Sequence, residues 1–221
     1  MNDKANRIQR WPVRLLWALP LVLALALPGV GVLGSLAVVI AMLVFHRDAR
    51  SATLRLWKRG PLISLLIGLA VGLATHVAMS ALIEPALQQV FGQPVDLSNF
   101  DAVEGNLSNY LVLLAVGLLF GGIAEELVFR GYIIGWGTRL FGNRAGLLLA
   151  LASAVVFGLA HFYQGLPGMV ATGLVGLVFG ITYLASGRRL APAIFAHMTV
   201  NLIGITELYL GHPFVAPLIG A

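Results

Sequence analysis

Residues 121–132 read GGIAEELVFRGY, two adjacent glutamates and an arginine inside a run that otherwise reads as membrane-spanning. A carboxylate at the centre of a span costs at least about 2.5 kcal/mol on insertion scales, and such residues face a bundle interior where they mark function. How this stretch is read decides the fold. Either it is a surface helix of a soluble domain, or it is the polar heart of an integral membrane bundle.

Composition decides for the bundle. Of 221 residues, 59% are hydrophobic and only 10% are charged, against about 25% charged in a typical soluble domain. No polar stretch is long enough for a separate soluble domain. The expected fold is all-α, a polytopic transmembrane helical bundle of about seven spans (six to eight), with its site inside the bundle. The net charge of +5 does not point to nucleic acid, because the Lys and Arg lie in short clusters between apolar runs, where they set orientation. The chain has no cysteine, which excludes disulfides, thiolate metal sites and a cysteine nucleophile.

The apolar runs divide into spans over Arg14–Leu27, Val30–Phe45, Pro61–Ile83, Tyr110–Gly135, Ala145–Tyr163, Gly168–Ala185 and Leu190–Leu210. The basic head and apolar body of the N-terminus resemble a signal peptide. A second apolar run follows at once after Pro28-Gly29, so a retained helical hairpin is expected. Lys4, Arg7, Arg10 and Arg14 precede the first span, and Arg47, Arg50, Arg55, Lys58 and Arg59 follow the second. Arg130, near the end of the fourth, clusters with Arg139 and Arg144, and Arg188 and Arg189 lie between the sixth and seventh. The loop after the third carries Glu84, Asp96, Asp101 and Glu104 with no base. Seven spans with the N-terminus in the cytoplasm put every basic cluster inside. Glycines pair at four-residue spacing (Gly68/Gly72, Gly117/Gly121, Gly131/Gly135, Gly142/Gly146, Gly176/Gly180), a pattern that lets helix backbones approach closely in lipid. No internal repeat suggests a transporter built of inverted halves.

Within the spans the ionisable residues are few. Glu126 and Arg130 stand four apart and share a helix face, where they can pair. Glu125 points about 100° away with no local counter-charge, which makes it the candidate general base. His161 closes SAVVFGLAHF, one turn after Phe157, and His197 and Asn201 of HMTVN again lie four apart. His76 and Glu207 have no companion at helical spacing and read as structural, while His46 and His212 fall in loops. Glutamate, imidazole and carboxamide converging from three helices can activate water and stabilise an oxyanion. The same set can hold a divalent metal. Other protease chemistries are absent: there is no His-Glu-x-x-His, no aspartate in any span and no Gly-x-Ser-Gly.

Three motifs together resemble the membrane-embedded CaaX prenyl endopeptidases and their prokaryotic relatives, the CaaX-protease and bacteriocin-processing (Abi) family. EELVFR resembles the family's Glu-Glu-x-x-x-Arg, FGLAH its Phe-x-x-x-His, and HMTVN its His with Asn four residues on. They occur in the family's order across about residues 111–205. The resemblance implies a glutamate-dependent intramembrane endopeptidase acting on a membrane-associated peptide or protein in the bilayer, with no nucleic-acid partner. By it, Glu125 and His161 polarise the attacking water, and His197 and Asn201 stabilise the oxyanion. Glu126, Arg130 and Phe157 support the site. It leaves metal use open; a divalent ion such as zinc would fall to Glu125, His161 and His197. Oligomeric state is left open as well. Residues 1–108 would form the N-terminal spans and an acidic extracytoplasmic loop, 109–210 the catalytic core and 211–221 a short tail. A prokaryotic cytoplasmic membrane is the expected location. The alternatives are a non-catalytic immunity or partner-binding protein, and a proton-coupled transporter in which Glu125, His161 and His197 relay protons.

Overall fold

The computed structural model describes residues 11–26 and 31–219, and no strand occurs among them. Lys4, Arg7 and Arg10, and the Pro28-Gly29 break, lie outside the described residues. Helix α1 (Trp11–Ala26) and α2 (Gly31–Phe45) pack side by side as the expected hairpin. Gly31 lies directly on the backbone of Leu23 and Ala24, where a side chain would not fit. After α2 the chain bends by 116° into the short α3 (Arg47–Thr53). His46 makes that corner, because its Nδ1 accepts the amide of Ala49 at 3.3 Å and caps α3.

Five longer helices follow: α4 (Pro61–Phe91), α5 (Leu107–Phe141), α6 (Gly146–Ala160), α7 (Gly165–Ala185) and α8 (Leu190–Leu210). Five helices are long and apolar enough to cross a membrane, and the bent α2–α3 pair makes a sixth. With the shorter apolar α1 beside them, the count is roughly consistent with the seven expected spans. The protein is an integral membrane bundle. The α8 boundaries are those expected. The others differ by a residue or more, and three of the differences bear on the polar residues. α4 runs on past Ile83 to Phe91, so Glu84 lies in a helix and not in the loop. α5 extends from Leu107 through Gly135 to Phe141. α6 stops at Ala160, leaving His161 at its C-cap.

Two prolines among the described residues sit beyond the first turn of a helix, and each is compensated from far away. Proline has no N–H, so the carbonyl four residues earlier loses its helical partner. Pro20 frees the carbonyl of Leu16, which accepts the hydroxyl of Tyr132 in α5 at 3.0 Å. Pro85 frees the carbonyl of Ala81, which accepts the amide of Leu218 at 2.9 Å, and the preceding turn, Met79–Ile83, widens to π-helical geometry.

The helices of both halves form one bundle, with α8 seated on α4. The contact is made by the expected small pair: Gly68 lies against the Cβ of Phe195, and a Cβ on Gly72 would stand 2.5 Å from the Cβ of Thr199. Gly142 does not pack in this way. Its φ of +92° marks the turn between α5 and α6, with no neighbour around it. His76 and Glu207 find each other across α4 and α8 at 3.1 Å, companions that helical spacing could not reveal. The acidic loop is tied down by Asp96 N–H to Gln164 O at 3.0 Å and Gly105 N–H to Tyr209 O at 2.9 Å.

Candidate active site

The site grows from the middle of α5. Two stretches of it, Gly117–Glu125 and Leu127–Trp136, have π-helical backbone, a wide geometry often found at functional sites. Glu126 and Arg130 are both wholly buried, with Arg130 Nη1 donating to Glu126 Oε1 at 2.6 Å. A buried ion pair needs further hydrogen bonds to offset its desolvation. Arg130 Nη2 supplies one, donating to the Gly176 carbonyl of α7 at 2.6 Å, while Glu126 Oε2 and Arg130 Nε are buried without a hydrogen-bond partner among the described residues. The guanidinium also lies 4.9 Å from the ring centre of Phe157 and 5.4 Å from that of Phe179, a stacking that favours a desolvated cation. Glycine at 176 makes the approach possible, since a Cβ there would stand 2.8 Å from the Phe157 ring.

His197 of α8 joins the pair from the other side. Its Nδ1 stands 2.9 Å from Glu126 Oε1, the oxygen that Arg130 also holds. This contact fixes the ring, whose Nε2 then faces Glu125 Oε2 at 3.9 Å. Phe179 stacks on the imidazole at 4.9 Å between ring centres, and Phe157 meets it edge-on at 6.0 Å. Asn201, one turn further along α8, donates Nδ2–H to the Gly117 carbonyl at 2.8 Å. Gly121 lies beneath both side chains: a Cβ would be 2.5 Å from Asn201 Nδ2 and 3.5 Å from His197 Nε2.

His161 reaches the same region from α6. Its Nδ1 donates to the Phe157 carbonyl at 2.7 Å, which leaves Nε2 as the free acceptor of the neutral ring. Glu125 and His161 together line a cavity of about 430 Å³ whose other walls include Ala24, Leu33, Phe120 and Tyr163. Glu125 makes no hydrogen bond among the described residues, and its side chain keeps 14% of its exposure. The two levels match because Glu125 lies seventeen residues before Gly142 and His161 nineteen after it.

All seven residues singled out by sequence are therefore brought into one region. Glu125, Glu126, Arg130 and His197 form a contiguous cluster, His161 shares the cavity with Glu125, Phe157 lies beneath Arg130, and Asn201 borders Gly121. Sequence reading missed α7, whose Gly176 and Phe179 carry no polar signal. The Gly176/Gly180 spacing was the one hint that something packs there. Among the described residues no three His, Asp or Glu side chains gather in an arrangement able to hold a metal ion. The ring nitrogens left to ligate, His161 Nε2 and His197 Nε2, do not gather with Glu125 into such a set, so these three residues do not fit a metal as they stand.

Residues 107–203 match the family described as Type II CAAX prenyl endopeptidase Rce1-like. That segment is similar to an Rce1-like core. Over 112 residues, 51% of this chain, it is 29% identical to the protein named "Putative membrane peptidase YdiL" of Bacillus subtilis (strain 168). The match spans 43% of that protein's length, so the chain corresponds to less than half of this relative. No solved structure matches. The Rce1-like core contains every polar residue of the site. The α1–α2 hairpin, whose Ala24 and Leu33 wall the cavity, lies outside it.

Proposed function

We propose that the protein is an intramembrane endopeptidase in which Glu125 activates the attacking water. The observation that carries this reading is an unengaged carboxylate facing a cavity in the bundle, with one imidazole on the same cavity and another 3.9 Å away. Glu125, assisted by His161 Nε2, takes a proton from water as its oxygen attacks the scissile carbonyl carbon. The carbonyl oxygen becomes an oxyanion beside the second Nδ2–H of Asn201, which the Gly117 bond leaves free, and beside His197, whose Nε2 donates to it when the ring carries a proton on both nitrogens. Collapse breaks the C–N bond, and Glu125 returns its proton to the leaving nitrogen. Glu126 and Arg130 act by holding His197. No step passes through a metal.

The apolar cavity walls suit a substrate segment drawn from the bilayer. The arginine-rich end of the bundle, with Arg139, Arg144 and Arg188, is assigned to the cytoplasm on the charge pattern. The test compares protein termini in membranes from cells making the wild type or Glu125→Gln, which keeps size but cannot act as a base. Termini that appear only with the wild type support peptidase action. Identical termini, with both proteins equally abundant, overturn it and leave a peptide-binding site. Glu125→Asp separates hydrolysis from proton relay, because water activation at fixed geometry fails with the shorter side chain while a relay keeps part of its rate.

A further inference from the structure

A second cavity, of about 450 Å³, lies at the arginine-rich end, between the start of α4, the end of α7 and the α7–α8 turn. Lys58, Arg59 and Arg189 line it, together with Ile63, Ile67 and Ile181, and no acidic residue does. The basic side chains are brought together by backbone bonds, Leu190 N–H to Arg55 O at 2.8 Å and Ala191 N–H to Leu56 O at 2.9 Å. These pin the segment before Lys58 to the start of α8. Arg188 is spoken for, since its Nη1 donates to Thr138 Oγ1 and Asn143 Oδ1, both at 2.8 Å. Arg189 is not: its Nε is buried with no hydrogen-bond partner, and neither it, Lys58 nor Arg59 forms an ion pair among the described residues. Below these cations the wall turns apolar. Ile63, Ile67 and Val71 form a stripe down α4, two turns and about 12 Å deep at 1.5 Å per residue.

We propose that this cavity binds one anionic phospholipid, with its phosphate on Lys58, Arg59 and Arg189 and an acyl chain along the α4 stripe and Ile181. Three unpaired cations at the end of a bundle match a phosphodiester. The apolar stripe beneath them favours a lipid over free phosphate, which would use only the rim. This site stands apart from Glu125 and does not depend on the peptidase reading.

The test is native mass spectrometry of the full chain, delipidated in a neutral detergent and titrated with palmitoyl-oleoyl phosphatidylglycerol or phosphatidylcholine. The phosphatidylglycerol adduct should saturate at one per chain and bind at least about tenfold tighter than phosphatidylcholine. Combined substitution K58Q/R59Q/R189Q should remove that preference. R47Q/R139Q/R144Q, which takes the same charge from the same end but outside the cavity, should keep it. Ile67→Trp, which fills the stripe and leaves all three cations, should also weaken the adduct. Equal binding of the two lipids, equal loss in both triple variants, or displacement by millimolar inorganic phosphate overturns the proposal. Thermal unfolding without lipid shows that each variant is folded before its binding is scored.

Discussion

His197 Nδ1 and Glu126 Oε1 meet at 2.9 Å in the interior of the bundle, on the oxygen that Arg130 grips at 2.6 Å. One carboxylate oxygen thus holds a cation from its own helix and an imidazole from another. The acid beside it in sequence, Glu125, is left free to face the cavity. The adjacent glutamates do different work because one helix residue turns them toward different neighbours.

Breaking that junction should unfold the protein, whereas replacing it should not. Glu126→Gln leaves the Arg130 cation buried without its counter-charge, and truncating one member of a buried pair costs about 3–5 kcal/mol. The variant should be depleted from membranes and unfold at markedly lower temperature. Glu126→Leu with Arg130→Met removes both charges and should restore abundance, while activity stays lost because His197 is no longer aimed. A double variant as unstable as the single one would count against this account.

Gly121 should prove intolerant for a reason specific to the site. A Cβ at this position stands 2.5 Å from Asn201 Nδ2. Gly121→Ala should therefore displace Asn201 and His197, with a stability loss of about 1–3 kcal/mol and a fall in peptidase rate of about a hundredfold. Adding Asn201→Ala removes the atom that clashes. The unfolding midpoint of the double variant should then match that of Asn201→Ala alone.

The Tyr132 hydroxyl should be worth about 1 kcal/mol in unfolding experiments, because Tyr132→Phe leaves the Leu16 carbonyl unsatisfied. The cost depends on Pro20. In a Pro20→Ala background residue 20 regains an N–H for the Leu16 carbonyl, and Tyr132→Phe should become nearly neutral. A double-mutant cycle reads the coupling directly, and additive effects would show that the two features are unrelated.

Exhaustive chelation should leave cleavage unchanged, since Glu125, His161 and His197 do not gather as a ligand set. The assay is hydrolysis of a substrate found by terminus mapping, in membranes treated with a chelator and with each divalent ion added back. Loss on chelation with recovery on one ion would refute the metal-free route.

Much of this was legible in the sequence. Helix α8 was readable to the residue because Arg188 and Arg189 precede it and Gly211 follows, a charged break and a left-handed cap. The polar turns at Glu125, His161 and His197 stood out because apolar surroundings make any ionisable group conspicuous. The ends of α5 were misread. Gly135 looked like a break, but the wide helical backbone carries through it to Phe141. Those six further residues bring Glu125 level with His161. Partnerships remote in sequence left no local trace: His76 with Glu207, Tyr132 with Leu16, and Gly176 with Arg130 each join separate helices.

The two proline gaps also bear on the order in which the molecule can be assembled. A backbone carbonyl without a partner is costly in hydrocarbon, where no water can serve it. The Leu16 carbonyl finds its donor 116 residues later, and that of Ala81 only at Leu218, close to the end of the chain. As the polypeptide leaves the ribosome, α1 and α4 therefore enter the bilayer with an open backbone group. Each is sealed only when a much later segment arrives. Each of these two helices is completed well after it is inserted.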